Sequence, residues 1–67
     1  MKIHFDEAAD ALYIRLDDSK IVESEEVKPG IVLDFNDQNQ VVAIEILRVR
    51  DHVSLANLKQ IQFEVTP

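Results

Sequence analysis

The segment that most constrains the fold is the start of the chain, where two alternating apolar runs flank a short turn rich in acid and alanine. Apolar and polar residues alternate over residues 3–5 and again over residues 12–16. A period of two is typical of β-strands with one apolar face. Asp6 is expected to cap the intervening turn by accepting hydrogen bonds from the backbone N–H groups that follow it, and Asp10 to act similarly at the far end. The segment therefore predicts a β-hairpin built around Asp6 and Asp10.

Further strands are predicted over residues 21–28, 31–35 and 41–47. Pro29 and Gly30 form the clearest turn, because proline fixes one φ and glycine permits a positive one. The all-polar residues 36–40 are suited to a hairpin loop. The run 41–47 is apolar on both sides apart from Glu45, which is typical of a central strand covered on both faces. We therefore expect a second layer, supplied either by the C-terminal segment or by a partner subunit.

The C-terminal part of the chain predicts a short helix followed by a last strand. Ser54 is a candidate N-cap for a helix over residues 54–59. Apolar residues alternate with polar ones over residues 61–65, which favours a strand. The predicted fold class is α+β: a small antiparallel β-meander of five to six strands with one short helix near the C-terminus, in a single domain spanning residues 1–67.

Chain length makes self-association an expected source of stability. A domain of 67 residues has a small core, and such cores rarely supply more than about 3–5 kcal/mol of net stability without help. The chain has no cysteine, so that help comes neither from disulfides nor from thiolate metal sites. We therefore expect a homodimer.

The net charge and the hydropathy of the chain indicate which partners and which cellular location to expect. The formal net charge of −6 disfavours direct binding to nucleic acid, which requires clustered lysine and arginine. The same charge is compatible with a basic protein partner, and equally with a role in solubility alone. No secretion signal and no run of apolar residues long enough to span a bilayer is visible, so we expect a cytoplasmic protein with no membrane association.

Four polar residues form a candidate interaction surface. Tyr13, Arg15, Asp34 and Glu45 point away from the apolar sides of their strands and share one face if those strands are neighbours. Such a face can bind a small molecule, and paired carboxylates can carry out acid–base chemistry. The alternative is ordinary cross-strand pairing of Arg15 with Asp34 or Glu45.

Metal binding and catalysis have less support in the sequence. Asp6 and Asp10 are spaced to offer oxygen ligands to a hard cation, but capping of the turn explains them more simply. His4 and His52 are separate from one another and match no zinc-binding spacing. With one glycine and no cysteine there is neither a phosphate-binding loop nor a thiol nucleophile. We expect no catalytic residue, no metal and no cofactor, and hence a protein that is not an enzyme.

The order of these segments resembles a small prokaryotic domain family of unknown function. The resemblance rests on residues 5–14, 21–27, 29–35 and 41–47, and covers residues 2–47. This chain departs from the family pattern at Ala43, where glycine is frequent, and at Phe5, where tyrosine is frequent. The resemblance supplies no active site. It implies a context, because some members look like the acidic partner of small ribonuclease-like toxins.

Three functional hypotheses follow. The first is a non-enzymatic protein-interaction module that acts as a homodimer. The second, implied by the resemblance, is an antitoxin-type inhibitor whose partner is a small basic protein encoded by a neighbouring gene. The third is a small-molecule or metal-binding module that uses Tyr13, Arg15, Asp34 and Glu45.

Overall fold

The computed structural model describes all of residues 1–67 and contains one five-stranded antiparallel sheet. This architecture, with a short helix near the C-terminus, confirms the predicted α+β fold class. The helical elements are a 3₁₀-helix, η1, and an α-helix, α1. The bounds of all seven elements, in chain order, are β1 Lys2–Asp6, β2 Ala11–Arg15, β3 Glu23–Lys28, β4 Ile31–Phe35, β5 Val41–Leu47, η1 Val49–Asp51 and α1 Leu55–Leu58.

The sheet joins an N-terminal hairpin to a three-stranded unit in the order β1-β2-β5-β4-β3. β5 lies between β2 and β4 and pairs with both, so it is the central strand, as its two-sided apolar pattern predicts. Residues 16–22 connect β2 to β3 across one end of the sheet. Leu16 donates a backbone hydrogen bond to Val42 at 2.8 Å, and Val22 donates one to Phe35 at 2.8 Å. The edges are β1 and β3.

Strand register gives the sheet two chemically different faces. Paired residues of an antiparallel sheet point to the same side, so the register assigns every side chain to a face. The polar face carries two rows that cross all five strands: Lys2, Arg15, Ala43, Asp34 and Ser24 in one, and His4, Tyr13, Glu45, Val32 and Glu26 in the other. The apolar face carries eight large side chains: Ile3, Phe5, Leu12, Ile14, Ile31, Leu33, Ile44 and Ile46.

The buried apolar core is very small. Only Val42, Ala43 and Val49 are buried apolar residues, at 1%, 0% and 2% exposure. The eight side chains of the apolar face are all at least partly accessible, and Ile3 is 45% exposed. The Cα radius of gyration is 12.9 Å, whereas a compact chain of this length has about 11 Å. The molecule is therefore less compact than a typical domain of its length, and its apolar face is covered only in part.

The helical segments add little to the core. η1 contributes one buried residue, Val49, and α1 contributes none. α1 begins as predicted, with the Ser54 hydroxyl accepting a hydrogen bond from the Asn57 N–H at 3.2 Å. No helix in the structure has the length and apolar character needed to cross a membrane.

The strand predicted over residues 61–65 is absent. This segment has no regular structure and no backbone hydrogen bonds, and Ile61, Phe63 and Val65 are 55%, 80% and 77% exposed. A β-strand has no hydrogen bonds of its own and exists only beside a partner strand. The alternating pattern is present, but no sheet edge lies alongside it, so the sixth strand of the predicted range does not form.

Candidate functional site

The polar face brings the four predicted surface residues together on adjacent strands. Tyr13 and Arg15 are on β2, Glu45 is on β5 and Asp34 is on β4. Tyr13 is directly opposite Glu45, and Asp34 is opposite Ala43, the residue beside Glu45 on the same face. Glu45 therefore lies between the phenol of Tyr13 and the carboxylate of Asp34.

Asp34 lies on the polar face of the sheet but is buried, with 1% of its area exposed. Its Oδ1 accepts a hydrogen bond from the Ser24 hydroxyl at 2.5 Å, from the neighbouring strand β3. Its Oδ2 is buried and has no permanent N–H or O–H donor. A buried carboxylate oxygen without a donor is costly, so Asp34 requires a further partner.

Glu45 supplies that partner when it carries a proton. A hydrogen bond to Asp34 raises the pKa of Glu45 from 4.5 to about 7, with smaller contributions from burial and from the negative charge of Asp34. Two carboxyl groups in contact cannot both ionise at low cost, so the pair holds one proton. Near neutral pH the Asp34–Glu45 pair therefore changes between a shared-proton state and a doubly charged state.

Arg15 does not pair with either carboxylate. Its Nε donates to the backbone oxygen of Asp17 at 2.6 Å, and its Nη2 donates to the backbone oxygen of Ser19 at 2.6 Å. The cross-strand ion pair of Arg15 with Asp34 or Glu45, which the sequence offered as an alternative, is thus not formed. The guanidinium of Arg15 instead donates its hydrogen bonds to backbone carbonyl groups of residues 16–22, the connection that follows β2.

A small loop around Asp17 completes this arrangement. The Asp17 carboxylate accepts hydrogen bonds from the Ser19 hydroxyl at 2.7 Å and from the Ser19 N–H at 3.2 Å. The hydroxyl bond is the largest of the causes that hold the pKa of Asp17 below its ordinary value; the positive charge of Arg15 also contributes. Asp17 therefore stabilises the loop carbonyls that orient Arg15.

The polar face has one depression, at its β1–β2 end. It has a volume of about 290 Å³ and is lined by Lys2, His4, Tyr13, Arg15 and Asp18. Lys2 is opposite Arg15, and His4 is opposite Tyr13, so four of the lining side chains form a square on two strands. Sequence reasoning missed Lys2, although its alternation with His4 through Ile3 places both on one face.

The turn between β1 and β2 connects to the C-terminal region through Asp10. Asp6 Oδ1 accepts a hydrogen bond from the Ala9 N–H at 3.1 Å, the capping geometry expected from the sequence. Asp10 has a left-handed backbone conformation, with φ of 54°. Its carboxylate accepts from the Arg50 Nε at 2.9 Å and from the Arg50 backbone N–H at 3.1 Å. Asp10 thus serves as a long-range clasp, a role that its position in the sequence does not reveal.

The remaining turn and metal candidates are local. Gly30 has φ of 81° between β3 and β4, a conformation that favours glycine. His4 and His52 do not come together in a cluster, and no three His, Asp or Glu side chains converge to hold a metal ion. The Asp10 carboxylate is engaged by Arg50 rather than open to a cation.

Comparison with known proteins identifies a family but no characterised relative. A family model described as "Protein of unknown function (DUF2283)" matches residues 2–50, which include the whole sheet. Searches of curated proteins and of solved structures found no match to the chain. The match includes both the polar face and the apolar face.

Proposed function

The chain belongs to this family of unknown function, and we propose that it is a non-enzymatic protein-interaction module that forms a homodimer through its apolar face. The observation that carries the proposal is the composition of that face. Eight large apolar side chains lie side by side on four neighbouring strands, and all of them remain at least partly accessible to solvent. A contiguous apolar face that solvent can still reach is typical of a surface that binds another protein.

An energy estimate indicates a reversible association. Full burial of a large aliphatic or aromatic side chain contributes about 1.5–3 kcal/mol. Roughly a third of that remains available at partly exposed positions, which gives about 8–16 kcal/mol for the two faces together. Association costs about 4–15 kcal/mol in lost freedom. The two ranges overlap, so the net free energy of association is small and we expect a dimer whose population depends on concentration.

A second copy suits this face because it is itself apolar and flat. Two copies related by a two-fold axis bury the same residues on both sides, which is how most homodimers are built. The sheet edge beside this face bears Glu25 of β3, opposite Leu33. A charge at that border limits the growth of larger aggregates by edge-to-edge contact.

Sedimentation velocity from low to high micromolar concentration tests the dimer. The variant is Ile3→Glu, on the apolar face and already 45% exposed, so a monomer tolerates it. The matched control is Ile61→Glu, at a residue that is 55% exposed and outside the sheet. We expect a concentration-dependent dimer in the natural chain and the control, and a folded monomer in Ile3→Glu. A natural chain that stays monomeric at the highest concentration overturns the proposal.

A second candidate function has its own support at the β3 edge of the sheet. β3 is exposed along its whole length and bears Glu23, Glu25 and Glu26. An exposed edge strand can accept a further strand from another protein, and its acidic side chains favour a basic partner. We propose as the alternative that this edge binds a small basic protein encoded by a neighbouring gene, as an antitoxin-type inhibitor does.

Co-expression with such a neighbour tests the alternative. We expect the two proteins to co-purify, and a Glu23→Lys/Glu25→Lys variant to lose the partner while it still forms the homodimer. An Asp37→Lys/Glu64→Lys variant, which changes charge equally at exposed residues outside β3, is the control. Retention of the partner by the β3 variant, or absence of any complex, contradicts this candidate.

A further inference from the structure

The depression on the polar face concentrates positive charge in an otherwise acidic chain. The net charge of the protein is −6, and it has only seven lysine and arginine residues. Two of them, Lys2 and Arg15, are cross-strand partners at this one site. His4 and Tyr13 form the adjacent cross-strand pair, so an imidazole and a phenol face the same space.

Neither Lys2 nor Arg15 forms a salt bridge, although Arg15 is close enough to Asp17 to contribute to the lowered pKa of that carboxyl group. The one salt bridge of the protein joins Arg50 to Asp10, at the other end of the β1–β2 hairpin. Asp18 lines the depression and contributes one negative charge, but it makes no salt bridge with Lys2 or Arg15. A positive charge without a fixed partner beside a depression is available to an anionic ligand.

Arg15 is already oriented for such a ligand. Two of its N–H groups are used by the backbone oxygens of Asp17 and Ser19. A guanidinium has five N–H donors in a fixed plane, so three remain free. Since the two bonds to the loop hold the side chain in place, less conformational entropy is lost when a ligand binds.

We propose that the depression lined by Lys2, His4, Tyr13 and Arg15 is a binding site for a small phosphate monoester. A monoester presents up to two negative charges and three terminal oxygens, which match a guanidinium and an ammonium group better than the single charge of a carboxylate does. The volume of about 290 Å³ lies near the lower limit for small-ligand pockets. The space beside the phosphate accommodates a small organic group against the Tyr13 ring.

This site is independent of the proposed dimer. It is on the polar face, whereas the dimer uses the apolar face on the other side of the same strands. A dimer that binds no phosphate contradicts the site alone, and a monomer that binds phosphate contradicts the dimer alone.

NMR titration of the isotope-labelled full chain tests the site. The probes are inorganic phosphate, phenyl phosphate, acetate and a short single-stranded oligonucleotide, at constant ionic strength. We expect saturable shifts at Lys2, His4, Tyr13 and Arg15, tightest with phenyl phosphate, weaker with inorganic phosphate and weakest with acetate. Absence of saturable shifts with either phosphate probe overturns the proposal. Equal binding of acetate, or binding of the oligonucleotide at least as tight as that of phenyl phosphate, overturns the assignment to a monoester.

Matched variants place the binding at these residues. We expect Lys2→Gln to weaken phenyl phosphate binding about two- to fivefold, because Lys2 is exposed. Arg15→Gln is expected to weaken it about tenfold or more, because its hydrogen bonds to phosphate are charge-assisted. Lys59→Gln removes a charge from an exposed residue beyond the sheet and should leave the affinity unchanged. Equal losses in all three variants would indicate a general charge effect and contradict the site.

Discussion

Burial of Asp34 determines how the polar face responds to pH. The residue has 1% of its area exposed, and its Oδ2 has no permanent donor. Glu45 is the neighbouring group that can supply a hydrogen to Asp34, and its hydrogen bond with that carboxylate raises its pKa to about 7. A single proton therefore decides whether the centre of the sheet contains a hydrogen bond or two repelling charges.

We expect the protein to become less stable as pH rises from 5 to 8. The pKa of Glu45 is about 7 in the folded state and 4.5 in its ordinary state, so the folded state binds the proton more tightly. The stabilisation is fully present below 4.5 and is lost as pH rises through 7. The free energy of unfolding is expected to fall by only about 1–2 kcal/mol over this range, because solvent screens part of the interaction. Urea denaturation at several pH values measures it.

The variant Glu45→Gln tests whether the Glu45 proton causes this pH dependence of stability. Glutamine donates an N–H at any pH, so the variant should show a flatter stability profile and exceed the natural chain at pH 8. Glu25→Gln, at an exposed residue of β3 on the other face, should keep the natural profile. The same slope in Glu45→Gln as in the natural chain would contradict this account.

At Gly30 the backbone conformation, rather than space, sets the requirement. An added Cβ would be 3.0 Å from Arg48 Nη2, at the flexible end of an exposed side chain that can move away. The φ of 81° cannot be relieved so easily. We expect Gly30→Ala to lower the free energy of unfolding by about 1–2 kcal/mol. Chemical denaturation of Gly30→Ala/Arg48→Ala should show the same loss relative to Arg48→Ala. Restored stability in the double variant would instead indicate a steric cause.

Among the elements, the β1–β2 turn is joined to η1 by hydrogen bonds that centre on Asp10, whose backbone oxygen also accepts from the Val49 N–H at 3.1 Å. Arg50 donates to Asp10 from its side chain and its backbone, and its Nη2 also donates to the Glu7 oxygen at 3.1 Å. We expect Asp10→Ala to destabilise the protein by about 1–2 kcal/mol, because it removes the carboxylate that accepts from the Arg50 Nε and backbone N–H, and also a residue that tolerates positive φ. Asp10→Asn should lose less, since it retains an acceptor oxygen. Thermal or urea denaturation ranks the two variants, and equal losses would contradict the clasp.

Comparison of particular elements shows what sequence patterns predict. The caps at Asp6 and Ser54 and the positive φ of Gly30 depend on neighbouring backbone atoms, so the sequence locates them. The strand expected over residues 61–65 depends on a distant partner, and its alternation cannot supply one. The hydrogen bonds of Arg15 could not be predicted either, because its partners are carbonyl groups whose positions depend on how residues 16–22 cross the end of the sheet. The shared face of Asp34 and Glu45 required the pairing of β4 with β5, which the predicted hairpin provides.

At the scale of the whole molecule, one face of the sheet bears most of the titratable and charged side chains and the other bears most of the large apolar ones. Val42 and Ala43 of β5 are buried, as expected for a central strand that is apolar on both sides, whereas the eight large side chains of the apolar face stay partly accessible. The apolar pattern of β5 predicts a second layer on the sheet, supplied either by the C-terminal segment or by a partner subunit. Within the C-terminal segment, residues 61–65 are exposed and form no strand, which leaves a partner subunit as the proposed source of further cover.

Salt distinguishes the two proposed interactions at this scale. Two copies that each carry a charge of −6 repel one another at long range, while the face that joins them is apolar. Salt screens the repulsion and does not weaken apolar burial, so we expect an increase from 0.05 to 0.5 M sodium chloride to strengthen the homodimer severalfold. A complex of acidic β3 with a basic protein should weaken over the same range, because its attraction is screened. Sedimentation equilibrium at both concentrations measures the effect. A homodimer that dissociates as salt rises would show that ion pairs, and not the apolar face, hold the two copies together.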